Sequence, residues 1–539
     1  MKILIIGGYG TFGGRLADLL AREMRLTLLI AGRSRAKADA FCRGRANCVP
    51  ASFDRDGDLD AQLASLAPDV VVDASGPFQA YGYGVVEACL RRGVHYLDLA
   101  DATGFVAGIA RFDAAARAKG LVVLSGVSTF PVLTSAAIRK LGGPVRHVVA
   151  GIAPSPYVDV GLNVIRVIAG YAGKKVGDRY ALMSSRTVVI APPGAVPLKP
   201  TRFSLVDVPD RVLLPERYPE LQSVWMGAGP KPALWHRALS TLAWLVRLRL
   251  LSSLSFLAPL MAWVIARFRW GEHRGGLFVA VDGRSWHMIA EGHEGASIPS
   301  MAAAAILAKW LDGHPPAPGA RACTSDLEIE DYERVFAGRA IVTGLRDPKP
   351  DAPLYRNFLG SAWDALPPAI RAMHDGAGTW HAQGRADVER GRGPFALIAA
   401  WLNGFPPTGR DVAVSVRFDA QDGCETWTRD FGGRRFASRQ YEGRGRGAGL
   451  IWERFGPIAF GIAMIVAGDG RLRLDVRQWR LFGVPLPGFL RPRGNTYESV
   501  GESVSAGESA EDGRFHFHVE IGFPWTGLIV RYRGWLTRA

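Results

Sequence analysis

Cysteine is scarce in this 539-residue sequence and has no pattern: Cys42, Cys48, Cys89, Cys323 and Cys424 are odd in number, widely scattered and never spaced as CxxC. That argues against a disulfide framework and a structural zinc site, and fits a reducing compartment, the cytoplasm. A secretory leader is not expected either, because MKILIIGGYG enters a strand pattern at once, with no separate apolar stretch or small-residue cleavage site. No basic run interleaved with aromatics and no recognition motif occurs, so nucleic acid is set aside as a partner despite a net charge of +15. With 48% hydrophobic and 21% charged residues, wholesale disorder is excluded as well.

The positive charge is unevenly spread. Between Phe130 and Glu294, 20 Lys and Arg stand against 10 Asp and Glu, a surplus of +10, whereas residues 351–539 hold 24 Arg, no Lys and 20 acids. An anionic small substrate or an anionic membrane surface suits such a middle segment.

Apolar runs of strand length alternate with helical periods from the start: 3–6 with 12–20, 26–30 with 36–42, then 70–73, 85–90, 94–99, 109–118 and 122–125. Such alternation predicts a parallel sheet covered on both faces. After Phe130 the rhythm changes, and 145–168, 188–196 and 276–288 read as longer strands of a mixed α+β region, followed by a small-residue helix over 300–310 and a Pro/Gly connection over 313–320. From Leu354 a helix leads into period-two strands over 412–418, 425–431, 472–481 and 515–521, with a short helix over 395–402 and flexible loops over 442–449 and 502–513. The expected fold class is therefore α/β: a doubly wound parallel sheet over residues 1–129, with 295–345 as candidates to complete it, a mixed α+β domain over 130–294, and a mainly antiparallel β domain over 351–539.

The loop Gly7-Gly8-Tyr9-Gly10-Thr11-Phe12-Gly13 satisfies GxGxxG between a predicted strand and a predicted helix. Glycine there permits the sharp turn, the approach of a pyrophosphate and close helix packing, and the helix N-terminus offers free N–H groups to phosphate. This is the Rossmann fingerprint. An NAD enzyme places Asp or Glu about 20 residues further on, to accept from the ribose hydroxyls. Here the second strand runs into Gly32-Arg33-Ser34, with Lys37 one helical turn on and no acid, so the expected cofactor is NADP(H), its 2′-phosphate held by Arg33, Ser34 and Lys37. Asp54 is a candidate adenine contact, and the turn Ser75-Gly76-Pro77 after the fourth strand is placed to run under the nicotinamide ribose. Tyr81, His95 and Asp98 are the candidate proton donors or substrate ligands. His516 and His518 share a strand face without a third ligand in reach, so no metal site is expected. Trp380, Trp427, Trp452 and Trp479 read as core.

GGYGTFGGRLADLLA, LLIAGRS, VVVDASGPFQAYGYGVVEACLRRGVHYLDLAD and SGVSTFPVLTSAA resemble the NADP-binding domain of the saccharopine dehydrogenase-like reductases, a family that includes trans-acting enoyl reductases of lipid synthesis. The resemblance spans residues 1–134 and, more loosely, continues to Gly344. It implies hydride transfer to or from a small substrate, lipidic ones included. GTWHAQGRADVERGRG, ETWTRDFGGRRFASR, LFGVPLPGFLRP and GRFHFHVEIGFPWTGLIVRYRGWL are similar to a C-terminal domain of unknown function often fused to such reductases, and suggest a curved sheet around an apolar pocket. Because the first domain has no YxxxK signature, an NADP(H)-binding sensor or scaffold without turnover stays open, and so, separately, does a lipid carrier working through the C-terminal domain.

The run LLSSLSFLAPLMAWVIA, residues 250–266 within an apolar segment 241–270, is uncharged and flanked by Arg247, Arg249, Arg267 and Arg269. Three outcomes are open for it: a bilayer span, shortened and interrupted by Pro259; a buried helix pair walling a greasy pocket; or a peripheral patch at the inner membrane face, anchored by Trp244, Trp263 and Trp270.

Overall fold

The computed structural model describes all residues except 159–160, 178, 184, 231–232, 350–351, 395, 399–403, 422, 502–512 and 524–526, together with the side chains of 163–164 and 233–236 as further exceptions. The expected helix over 395–402 and the loop over 502–513 fall largely outside the described residues. The chain forms two compact units. Unit 1 comprises Met1–Arg186, Thr201–Asp282 and Ile289–Ile341, and unit 2 comprises Thr187–Pro200, Gly283–Met288 and Val342–Ala539.

Unit 1 begins with β1 (Lys2–Ile6), α1 (Thr11–Leu20), β2 (Thr27–Gly32), α2 (Arg35–Cys42), β3 (Cys48–Ser52), α3 (Leu59–Leu66), β4 (Val70–Asp73), α4 (Gly84–Arg92), β5 (His95–Asp98) and β6 (Val122–Ser125). The strands lie parallel in the order β6-β5-β4-β1-β2-β3, the doubly wound arrangement. Ile3–Ile6 and all of β4 are buried, which is why they read as unbroken apolar runs: both sheet faces are covered. A seventh strand, Gly319–Ala322, pairs in parallel with β6. The region around it had the composition of a connection; only its pairing makes GARA a strand. The helix Ile298–Leu311 packs against α1, and Ser300 Oγ donates to the Phe12 carbonyl at 2.8 Å.

A second sheet of unit 1 centres on His147–Ala153, flanked by Ser223–Ala228 in parallel and Arg274–Val281 antiparallel, with Thr201–Leu205 beyond. Three expected strands are corrected. Residues 145–168 divide into that strand and the helix Leu162–Tyr171; only the first residue of 188–196 is strand; and residues 276–288 are broken by Asp282 and Gly283, both at positive φ as a two-residue hairpin turn requires.

The segment 241–270 also departs from two of its three outcomes. It forms Ala233–Arg247 and Ala258–Arg267, with Pro259 in the first turn of the latter, where its missing N–H costs nothing. Among the described residues no helix is long and apolar enough to cross a membrane. Nor is the pair buried: Leu250 is 68%, Trp263 59% and Trp270 72% exposed.

Unit 2 is built on an antiparallel sheet that closes on itself. Its ten barrel strands among the described residues run Thr379–Arg390, Gly409–Gln421, Cys424–Phe431, Arg434–Glu442, Ile451–Phe455, Ile458–Val466, Leu472–Leu481, Tyr497–Val500, Phe515–Phe523 and Gly527–Arg538. Ile458–Val466 pairs with both Ile451–Phe455 and Leu472–Leu481, and Gly527–Arg538 pairs with Thr379–Arg390, so no long edge is left open. The Gly/Arg tract 442–449, expected as a flexible loop, packs around Trp452, whose Nε1 donates to the Gly447 carbonyl. Trp380 and Trp452 are core, as read, but Trp427 lines the barrel cavity and Trp479 is only half-buried.

Candidate functional site

The glycine loop leaves β1 at Gly7, whose φ of +76° favours glycine, and turns tightly enough that a Cβ on Gly13 would lie 2.3 Å from the Gly7 carbonyl oxygen. Gly8 and Gly13 are buried beneath the turn, while Gly10 and Thr11 are exposed at its top. Gly10 caps α1 in an extended conformation, with no side chain bonded to the first turn and no acid in it. Thr11 and Phe12 thus contribute backbone N–H groups at the positive end of the helix, the arrangement that receives a phosphate.

Above this loop lies a cleft of about 620 Å³, bounded by the ends of β2 and β4 and by Leu162–Tyr171. Gly7, Gly10, Arg33, Asp54, Ser75 and Tyr81 all line it. At its β2 end Tyr9 lies across Gly32, where a Cβ would meet the phenol oxygen at 2.4 Å, and Tyr9 Oη accepts from the Ser34 N–H at 3.0 Å. Ser34 caps α2, its Oγ accepting from the Lys37 N–H at 3.4 Å, which leaves the hydroxyl proton to donate. Arg33 and Lys37 are exposed, and neither side chain is paired among the described residues, whereas Arg35 is drawn off to Asp39 at 3.1 Å.

The turn after β4 is held by a residue that sequence reasoning passed over. Arg55 Nη1 donates to Asp73 Oδ2 at 2.6 Å and to Ser75 Oγ at 2.7 Å; Ser75 donates from both its N–H and its Oγ to the other Asp73 oxygen. The Arg55 guanidinium also lies 4.1 Å from the centre of the Tyr81 ring. Arg55 therefore fixes both the Ser75-Gly76-Pro77 turn and the tyrosine that follows it. Arg166 lines the same cleft from Leu162–Tyr171. The only sequence signal for Arg55 was a charged residue just past the third strand; nothing in the sequence linked Arg166 to the loop.

Of the three candidate proton carriers, the structure brings Tyr81 to the cleft and leaves the others out. His95 begins β5, at the amino edge of the sheet, whereas the glycine loop is at the carboxyl edge, roughly 10 Å away at about 3.3 Å per residue. Its Nδ1 accepts from the Val122 N–H at 3.0 Å, its ring meets Trp310 edge-on, and burial lowers its pKa. Asp98 is fully buried and accepts from the Ala100 and Gly126 N–H groups and from Ser125 Oγ, tying the exits of β5 and β6 together. Burial pushes its carboxyl up to about 7 against those hydrogen bonds. Among the described residues no group of three or more His, Cys, Asp or Glu is placed to hold a metal ion.

A parallel sheet in this order, a glycine loop feeding a helix N-terminus and a cationic cleft above it define a dinucleotide-binding domain of the Rossmann type. Residues 3–124 match the model of the saccharopine dehydrogenase NADP binding domain, and residues 366–536 match that of a domain of unknown function, DUF4166. Among solved structures, saccharopine dehydrogenase (L-Glu forming) from Saccharomyces cerevisiae is similar at 14% identity and a TM-score of 0.39, covering 64% of this chain and 100% of that one. Amine dehydrogenase from Mycobacterium smegmatis is similar at 13% identity and a TM-score of 0.34, covering 60% and 95%. The WlbA dehydrogenase from Thermus thermophilus, in complex with NAD and UDP-GlcNAcA, is similar at 12% and 0.30, covering 62% and 92%. No curated protein matches at a significant level.

Proposed function

We propose that this chain is an NADP(H)-dependent oxidoreductase that moves hydride to or from a C=O, C=N or activated C=C bond of a small substrate. The observation that carries the cofactor preference is that Arg33 and Lys37 are unpaired among the described residues at the end of β2, where Arg33 and Ser34 stand in place of the acid that an NAD enzyme carries. Ser34 adds a hydroxyl donor, and Arg166 a further positive charge along the cleft. When bound, the nicotinamide would supply or receive the hydride. Arg55 orients the Ser75–Pro77 turn beneath it, and Tyr81, 38% exposed at the cleft, is the residue placed to exchange a proton with the substrate. Titration of NADPH and NADH onto the purified protein tests the reading. NADPH should bind at least tenfold more tightly, and Arg33→Asp should reverse or erase that preference. Equal affinities in the unaltered protein would overturn it.

The exposed apolar helices favour a second element, that the enzyme works at an anionic membrane surface on a hydrophobic substrate. Leu260 and Trp263 are exposed on Ala258–Arg267, with Trp244 and Trp270 nearby in sequence, and Arg247, Arg249, Arg267 and Arg269 flank them. An apolar face rimmed by arginine suits the interface between acyl chains and acidic headgroups. Sedimentation with phosphatidylglycerol vesicles should be measurable at low salt, weaken as salt rises, and fall at least fivefold with Leu260→Ser and Trp263→Ser combined. Protein that stays in solution with acidic lipid in excess would refute it.

A further inference from the structure

The barrel of unit 2 is hollow. Along Phe515–Phe523 the residues facing inward, Phe517, Val519 and Ile521, are only half-buried, although a filled barrel would bury them completely. The space they enclose measures about 310 Å³, within the range of small-molecule sites, and its remaining wall is largely aromatic and aliphatic, with Phe418, Phe455 and Met464 among the lining side chains.

Besides two charged groups that are already paired, Arg429 with Glu453 at 3.0 Å and Glu520 with Arg531 at 2.8 Å, polar groups stand at two further positions on this wall. Deep within, fully buried His374 shares a hydrogen bond with Glu498 through Nε2 at 2.9 Å and stacks on Tyr355 at 4.0 Å, while its Nδ1 has no partner among the described residues. Buried Gln440 likewise leaves its Oε1 unpartnered. Elsewhere on the wall three arginines converge. Arg477 is the extra residue of a bulge, since Val476 pairs with Ile462 and Gln478 with Gly461, and the bulge turns its side chain to the cavity. Arg477 is paired with Asp475 at 2.8 Å, but Arg491 and Arg493 have no carboxylate partner among the described residues. Burial lowers the pKa of Arg491, the positive charges of Arg477 and Arg493 lower it further, and the Asp475 carboxylate, already bound to Arg477, opposes them, so an anion against Arg491 and Arg493 would supply the carboxylate-type partner that these two lack. The segment 481–490 leading to Arg491 exposes Phe482, Val484 and Phe489, the first at 79%.

We propose that the barrel binds an acidic amphiphile, its apolar chain inside and its carboxylate or phosphate head against Arg491 and Arg493, entering past the apolar 481–490 tip. Guanidinium forks suit such heads, and a neutral or cationic head would leave the arginines uncompensated. This assignment is independent of the dinucleotide cleft.

Dodecanoate, dodecyl phosphate and dodecanol, each below the concentration at which it self-associates, can be titrated onto the full-length protein by calorimetry. Both acids should bind, and dodecanol at least tenfold more weakly. Arg491→Gln with Arg493→Gln should bring the acids down to the level of dodecanol, and Val519→Trp should abolish binding of all three. Met464→Trp serves the same purpose should Val519→Trp lose the wild-type thermal transition and near-ultraviolet circular dichroism. Any of four results would overturn the proposal: no binding of either acid, equal affinity for dodecanol, acid binding that survives a folded cavity-filling variant, or binding to phosphatidylglycerol vesicles without binding to dodecanoate.

Discussion

Arg55 donates to the fully buried Asp73 carboxylate at 2.6 Å while its guanidinium covers the Tyr81 ring, so one side chain joins the end of β4 to the candidate proton carrier. Asp73 has no solvent exposure, and Arg55 keeps only 12%. Arg55→Met should therefore leave an uncompensated buried charge and destabilise the protein by about 3 kcal/mol in chemical denaturation. Adding Asp73→Asn should restore part of that loss. If Arg55→Met alone unfolds at the wild-type midpoint, the pair does not hold the turn.

Gly10→Val should separate cofactor binding from folding. A Cβ at Gly10 would sit 3.0 Å from the Gly7 carbonyl, tight but at an exposed position, and the rest of the side chain would enter the space of the phosphates. Affinity for NADPH should drop at least about 100-fold, or about 2.7 kcal/mol, with little change in Tm. Near-normal NADPH affinity in the variant would mean that the loop is not the phosphate cradle.

Asp210 gives the protein a pH-dependent term. It is fully buried in unit 1, and burial pushes its carboxyl up to about 7 from 3.8. The folded form thus keeps its proton where the unfolded chain has released it, so this group's contribution to stability is complete below about pH 4, declines as pH rises to about 7, and stays lost above that. Asp98, also pushed up to about 7, contributes a decline of the same sign, so Asp210→Asn should make the decline shallower without abolishing it and raise stability at pH 8 by about 2 kcal/mol, read from urea unfolding at pH 5 and pH 8. A wild-type pH dependence in the variant would assign the effect elsewhere.

What the sequence made legible was whatever is written in neighbouring residues. The glycine loop, the strands β1, β2 and β4 and the missing acid after β2 are local patterns, and fully buried parallel strands announce themselves as apolar runs. A curved antiparallel sheet around an apolar pocket was legible, but its full closure into a barrel was not, because closure depends on Ile458–Val466 pairing with Leu472–Leu481 as well as with Ile451–Phe455, and antiparallel alternation looks the same in an open sheet. Arg55 was missed because its partner lies 18 residues away on another strand. His95 and Asp98 attracted attention as titratable residues around one strand, but a four-residue strand sends its two ends to opposite edges of the sheet, and Asp98, at the carboxyl edge, is buried with one oxygen taking three hydrogen bonds from the exits of β5 and β6.

The seventh strand, Gly319–Ala322, sets a timetable for biosynthesis. At about 5 to 20 residues per second a ribosome needs roughly 10 to 40 s to travel from Ser125 to Gly319. Throughout that interval the nascent chain has β6 made but its outer partner still untranslated, a bare backbone edge of the kind that recruits foreign strands. A chain interrupted before Gly319 would leave the backbone groups of β6 exposed at that end of the sheet, where the complete chain covers them with a strand of only four residues.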